Sequence, residues 1–160
     1  MAEVGRNVAP AIGLRDVVLV MDVPHGTAYL NRYTYELVII SESDLVLPDW
    51  GDDDPEFREY QKRQVARARK VVKSEDFLKL PGRFEIRELD IMESFCSTVE
   101  DLELKGSLLQ ALRGRDALGA FRNRVRERGV QVDWFRFREQ ALERVAADWL
   151  DANGIAYRRD

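Results

Sequence analysis

One cysteine and one histidine stand among 160 residues, and that scarcity removes several classes of chemistry at the outset. Cys96 has no partner for an internal disulfide, which suits a reducing compartment and leads to the expectation of a cytoplasmic protein. His25 alone gives neither a two-histidine metal site nor a base–nucleophile dyad with a distant Cys or Ser. It precedes a glycine and reads as a solvated turn residue. No glycine-rich phosphate loop follows a strand, because Gly114 and Gly119 punctuate helical sequence. The longest apolar run, Val17 to Met21, is far too short to cross a bilayer. The first residues lack a basic start followed by an apolar stretch, so neither a secretory signal nor a membrane partner is expected. The expectation is accordingly no cofactor and no metal.

What the chain has in quantity is charge, at 34% of residues, beside a hydrophobic fraction of 45%. That combination is globular, and the length favours one domain over residues 14–160 behind a loose, flexible tail at 1–13. The charges are polarised. From Ser41 to Tyr60 eight acids face Arg58 alone, whereas from Arg113 to Arg138 eight arginines face three acids. The acidic stretch 49–54 lacks the ligand spacing of a calcium loop and reads as a solvated loop feeding a helix cap.

Periodicity gives the elements. Leu14 to Val23 reads either as a strand, from Val17, Val18 and Val20, or as a short helix. Thr27–Asn31 and Glu36–Ile40 read as a hairpin too small to be stable alone. Asp54-Pro55 starts a helix over 55–73, with Phe57, Tyr60, Val65, Ala68, Val71 and Val72 expected toward the core. Further helices are expected over 85–99, 102–112, 117–128 and 134–152. The second of these should bury Leu89, Ile91, Met92, Phe95, Cys96 and Val99, and Asp133 should cap the last, which Asn153-Gly154 stops. Trp134, Phe137, Val145, Trp149, Phe95, Met92 and Phe121 are expected in one core, with Phe135 on or beside the buried stripe. The class is α+β: a small N-terminal antiparallel hairpin packed against a mainly helical C-terminal two thirds.

Several segments, taken in order, resemble an uncharacterised bacterial protein family. Trp134-Phe135-Arg136-Phe137-Arg138-Glu139, Trp149-Leu150 and Asn153-Gly154-Ile155 are similar to its C-terminal W-[YF]-x-F-R-[DE] and W-x-x-x-N-x-I motifs. Phe84-Glu85-Ile86 with Glu88 and Ile91-Met92 resembles its F-[DE]-I-x-E-x-x-I-M segment, and Gly119-Ala120-Phe121-Arg122 its G-A-F-R segment. Two departures stand out. Three extra residues split the usual G-R-G-A-F-R run, and Thr34-Tyr35 occupies the hairpin turn where the family favours Thr-Gly. The resemblance implies an α+β fold and a helix over 14–22. It implies no activity.

Two constellations carry functional readings. Arg115, Arg122 and Arg126 line one flank of the helix from Ala117, and Arg124 and Arg128 project from the other. The array is either a solvated face or a site for phosphates or an acidic protein surface. Arg138 sits in the apolar face of the last helix, and Glu88, one turn after Glu85, sits in that of the 85–99 helix. A buried charge without a partner is too costly to keep. A bidentate pair of Arg138 with Glu88 or Glu85 solves the problem, and the alternative is an Arg138 that reaches past the core to water. The leading functional expectation is a small non-catalytic binding or regulatory protein, with a protein partner or self-association ahead of nucleic acid. Phosphate or nucleic-acid binding through the arginines is the alternative, and an enzyme using the Glu85, Glu88 and Arg138 cluster the third.

Overall fold

The computed structural model describes residues 11–47 and 54–159. Residues 1–10 of the expected tail, and Asp49, Asp52 and Asp53 of the acidic stretch, lie outside the described residues. The elements begin with β1 (Ile12–Gly13), α1 (Leu14–Met21), β2 (Thr27–Asn31), β3 (Leu37–Ile40), a 3-10 turn (Glu42–Leu45), α2 (Pro55–Lys73) and β4 (Phe77–Lys79). They continue with α3 (Arg83–Ile86), α4 (Glu88–Thr98), α5 (Leu102–Ala111), α6 (Ala117–Glu127), α7 (Gln131–Ala152) and β5 (Tyr157–Arg158). The fold is α+β. The described residues fall into two compact units, one drawn from 11–47, 54–82 and 147–159 and the other from 83–146.

In the first unit β2 pairs antiparallel with β3, from Thr27 opposite Ile40 to Leu30 opposite Leu37. A third strand extends the hairpin on the other side, β4 lying antiparallel to β2 with Tyr29 opposite Lys79. Three residues are too short for an alternation to register in sequence, and β4 owes its conformation to the bonds of β2. Residues 14–21 form a helix, as the family resemblance implies, burying Leu14, Val17, Val18 and Met21. Ile12 and Gly13, assigned to the tail by sequence, pair in parallel with Tyr157 and Arg158.

α2 begins where its start signal lies. Pro55 occupies the first helical position, and the Asp54 carboxylate accepts the Glu56 N–H at 3.0 Å. Its C-terminal half buries Ala68 and Val71 against Ile40, with Tyr29, Val38, Leu45 and Phe77 packed around them. The single apolar face expected along its whole length is not there: Phe57, Tyr60 and Val72 are 47%, 52% and 41% exposed. A helix of 19 residues spans about 28 Å, whereas five-residue strands span about 17 Å, so the sheet underlies only part of it.

The second unit is helical around an aromatic cluster. Phe95 meets Phe121, Trp134 and Phe137 edge-on at centroid distances of 6.3, 5.4 and 5.5 Å, and Phe121 meets Trp134 at 4.9 Å. Met92, Cys96, Leu108, Val125 and Leu142 are buried with them. Val145 and Trp149 are only half-buried, and Trp149 belongs to the stretch of α7 assigned to the first unit.

Three expectations are corrected here. The helix expected over 85–99 is broken at Arg87, whose φ of 54° is left-handed, so α3 ends at Ile86 and α4 starts at Glu88. The break resets the helical phase, and Leu89 turns outward at 46% exposure. The last helix starts at Gln131, so Asp133 lies inside its first turn and not at its cap. Phe135 is 63% exposed and leaves the core entirely.

Candidate functional site

α6 and α7 are set against each other by their junction. The Asp116 carboxylate accepts the Gly119 N–H at 3.3 Å and fixes the start of α6. Phe121 and Val125, four apart, are buried, so Arg122 and Arg126, one residue on from each, lie side by side on the adjoining face. Gly129, at φ 68°, ends the helix in the left-handed conformation that favours glycine. Its N–H bonds to the Arg126 carbonyl at 3.2 Å and the Val130 N–H to the Val125 carbonyl at 3.1 Å. Both bonds satisfy carbonyls at the end of α6 while letting α7 begin two residues later.

A pocket of about 330 Å³ opens at this junction. Val125, Trp134 and Phe135 supply its apolar lining; Arg122, Arg126, Arg138 and Gln131 supply the rest. Arg138 Nε donates to Glu88 Oε1 at 2.7 Å and Nη2 to Oε2 at 3.2 Å, a bidentate pair with side chains 21% and 19% exposed. Its charge is countered within the protein. Glu85 is exposed and lies on α3, across the break from Glu88.

The five arginines of the array divide into three groups. Arg124 Nη1 donates to the Ser107 carbonyl at 3.0 Å and to the Ser107 hydroxyl, and Arg128 Nη2 donates to Glu103 Oε1 at 3.0 Å, so these two brace α6 on α5. Arg115 is exposed in the turn before α6 and does not line the pocket. Arg122 and Arg126 are exposed and line it, and among the described residues neither has a carboxylate within ion-pair distance. Sequence reasoning missed Gln131 and Phe135 as pocket residues. The signal was present in the helical period itself, which places Phe135 about 100° round the helix from the buried Trp134.

The remaining single residues sit apart. Cys96 is fully buried, and desolvation pushes its thiol above the ordinary value, as befits packing. His25 is exposed. Among the described residues no group of three or more His, Cys, Asp or Glu side chains is placed to hold a metal. No helix among them is long and apolar enough to cross a membrane.

The sequence profile of an uncharacterised protein family, UPF0158, matches residues 56–159. A curated UPF0158 protein of Pseudomonas aeruginosa is 24% identical over 145 residues, covering 90% of this chain and 84% of its own. No solved structure matches.

Proposed function

The chain belongs to the uncharacterised protein family UPF0158, and from that premise we propose a non-catalytic binding protein that receives an acidic segment of a partner protein on its α6–α7 face. One observation carries the reading: Arg122 and Arg126 border a pocket with no counter-charge of their own among the described residues, beside the exposed ring of Phe135. A guanidinium is a rigid fork matched to a carboxylate, and two of them four residues apart suit a pair of acidic side chains. Phe135 adds apolar area next to that charge, the arrangement of an interface anchor. The Glu88–Arg138 pair acts in this reading as a brace that holds one wall of the pocket.

Protein is favoured over nucleic acid on three counts. Arg124 and Arg128 are already engaged with α5, which shortens the basic track. Trp134 is locked in the aromatic cluster and has no face to offer a base. The net charge of −4 opposes long-range attraction to a polyanion. The proposed setting is cytoplasmic, in keeping with a free, buried thiol.

The test is affinity capture on the immobilised protein from the native cell, with and without nuclease and at two salt concentrations, beside the Arg122→Glu/Arg126→Glu variant. A protein partner retained after nuclease, and lost from the variant, is the expected result. Two charge-assisted hydrogen bonds at about 1.5–3 kcal/mol each set that loss at 100-fold or more. Retention that nuclease abolishes and that falls steeply with salt replaces the protein reading with phosphate recognition. Partners held equally by the variant remove this face altogether.

A further inference from the structure

The strand order β3-β2-β4 leaves β3 at an edge of the sheet. Its pairing fixes which backbone groups are used. The Asn31 N–H bonds to the Glu36 carbonyl at 2.9 Å, and the ladder runs from there to Thr27 opposite Ile40. In an antiparallel pair alternate residues turn both N–H and C=O toward the partner strand. Glu36, Val38 and Ile40 therefore face β2, and Leu37 and Ile39 turn their groups the other way. Ser41, next in the outward set, follows the rule, since its N–H goes to the Asp44 carboxylate at 2.7 Å. Among the described residues nothing bonds to the outward groups of Leu37 and Ile39.

A groove of about 530 Å³ lies along this edge, between β3 and α2. Ile39, Val46 and Tyr60 line it and are 42%, 62% and 52% exposed. Gln61 lines it too, and its Oε1 is buried without a hydrogen-bond partner. Among the described residues three charged side chains border the groove. Glu36 and Arg67 neutralise each other at 2.7 Å, which leaves Asp44 as the uncompensated charge at the Ile40 end. Its carboxylate is held below the ordinary range by the Ser41 backbone N–H and then by the Ser41 hydroxyl.

We propose that this groove takes an extended segment of a partner protein as a fourth strand, with apolar residues at alternate positions and a basic residue beside Asp44. The backbone groups of Leu37 and Ile39 recur at the two-residue period of a strand, about 6.7 Å, which an extended peptide matches and a compact ligand does not. Alternate side chains of that segment cover Ile39, Val46 and Tyr60, and a donor reaches Gln61 Oε1. The site stands on different residues from the α6–α7 face, so either can fail without the other.

The probe is an array of synthetic hexapeptides with Val, Ile, Leu, Phe or Tyr at alternate positions, Ser between them, and Lys or Glu at either end. The expected result is saturable binding by a subset carrying Lys at one end, with the Leu37 and Ile39 amides becoming protected from hydrogen exchange. N-methylating the peptide nitrogens of one parity should weaken binding about tenfold per lost bond, and those of the other parity should leave it unchanged. Ile39→Pro removes an outward N–H and no bond to β2, and should abolish binding. If that variant misfolds, Gln61→Ala and Asp44→Asn serve in its place, each expected to weaken binding by about tenfold or less. No retained peptide, or indifference to N-methyl parity, overturns the proposal. So does a free protein that self-associates through β3, with both amides already protected and dissociation on Ile39→Lys.

Discussion

Replacing Arg138 by methionine keeps an apolar stem of similar reach and removes the guanidinium; replacing Glu88 by glutamine keeps the shape of the carboxylate and removes its charge. Breaking a fully buried ion pair costs about 3–5 kcal/mol, and an exposed pair contributes about 0–1 kcal/mol. The two side chains here retain 21% and 19% of their exposure, so the pair lies nearer the buried limit without reaching it. Its bidentate geometry, at 2.7 and 3.2 Å, places it well above the exposed limit. Each single change should therefore cost about 2–3 kcal/mol. Arg138→Met with Glu88→Gln should cost no more than the worse single change, a coupling of at least about 2 kcal/mol. Urea unfolding of the four proteins, followed by tryptophan fluorescence, measures it. Repeating the cycle in 1 M salt, where the Debye length is about 3 Å, should lower the coupling only in part. A coupling within about 0.3 kcal/mol of zero would refute the reasoning and remove Glu88 as the group that holds Arg138.

Tyr35→Gly should stabilise the protein by up to about 1 kcal/mol, because Tyr35 sits at φ 62° and its left-handed strain exceeds the entropy a glycine adds; a net loss in urea unfolding would show the turn to be unstrained. Cys96 should react with a disulfide reagent only after denaturation, since burial both shields the thiol and raises its pKa, and stoichiometric labelling of the native protein within minutes would contradict that placement. Asp44 has a lowered folded pKa, so the stability it contributes is present above its unfolded pKa, about 3.9, and is lost as pH falls through the folded value. Asp44→Asn should flatten that acid limb of a stability–pH curve, and an unchanged limb would place the loss in other carboxylates.

Much of the helical framework is legible because its ends are chemically marked. Asp54-Pro55 opens α2 and Gly129 and Gly154 close α6 and α7, each recognisable from one or two residues. The break at Arg87 carries no such mark, since arginine is not a residue that advertises a left-handed backbone. That break separates the two candidate glutamates: spacing alone leaves Glu85 and Glu88 equivalent, whereas the structure sets them on different helices and joins Glu88 to Arg138 in a bidentate pair. Phe135 was hidden among core residues by its place between Trp134 and Phe137, when its ring stands in water. Arg124 and Arg128 have the same residue type and spacing as Arg122 and Arg126. Only the position of α5, with Ser107 and Glu103, separates the two pairs. One-dimensional periodicity finds faces; it does not say which neighbour each face meets.

The pairing of Ile12 with Tyr157 has a consequence for how the chain is made. A ribosome releases Ile12 about 145 residues before Tyr157, the residue it must pair with, exists. The sheet of β2, β3 and β4 and the helical unit that follows are both complete in sequence by then, and each has its own apolar core to form around. Closing so long a loop adds little entropy beyond closing one of half the length, about 0.6 kcal/mol. The delay is therefore one of order and not of free energy. Ile12 and Gly13 wait until Tyr157 and Arg158 emerge to fasten them.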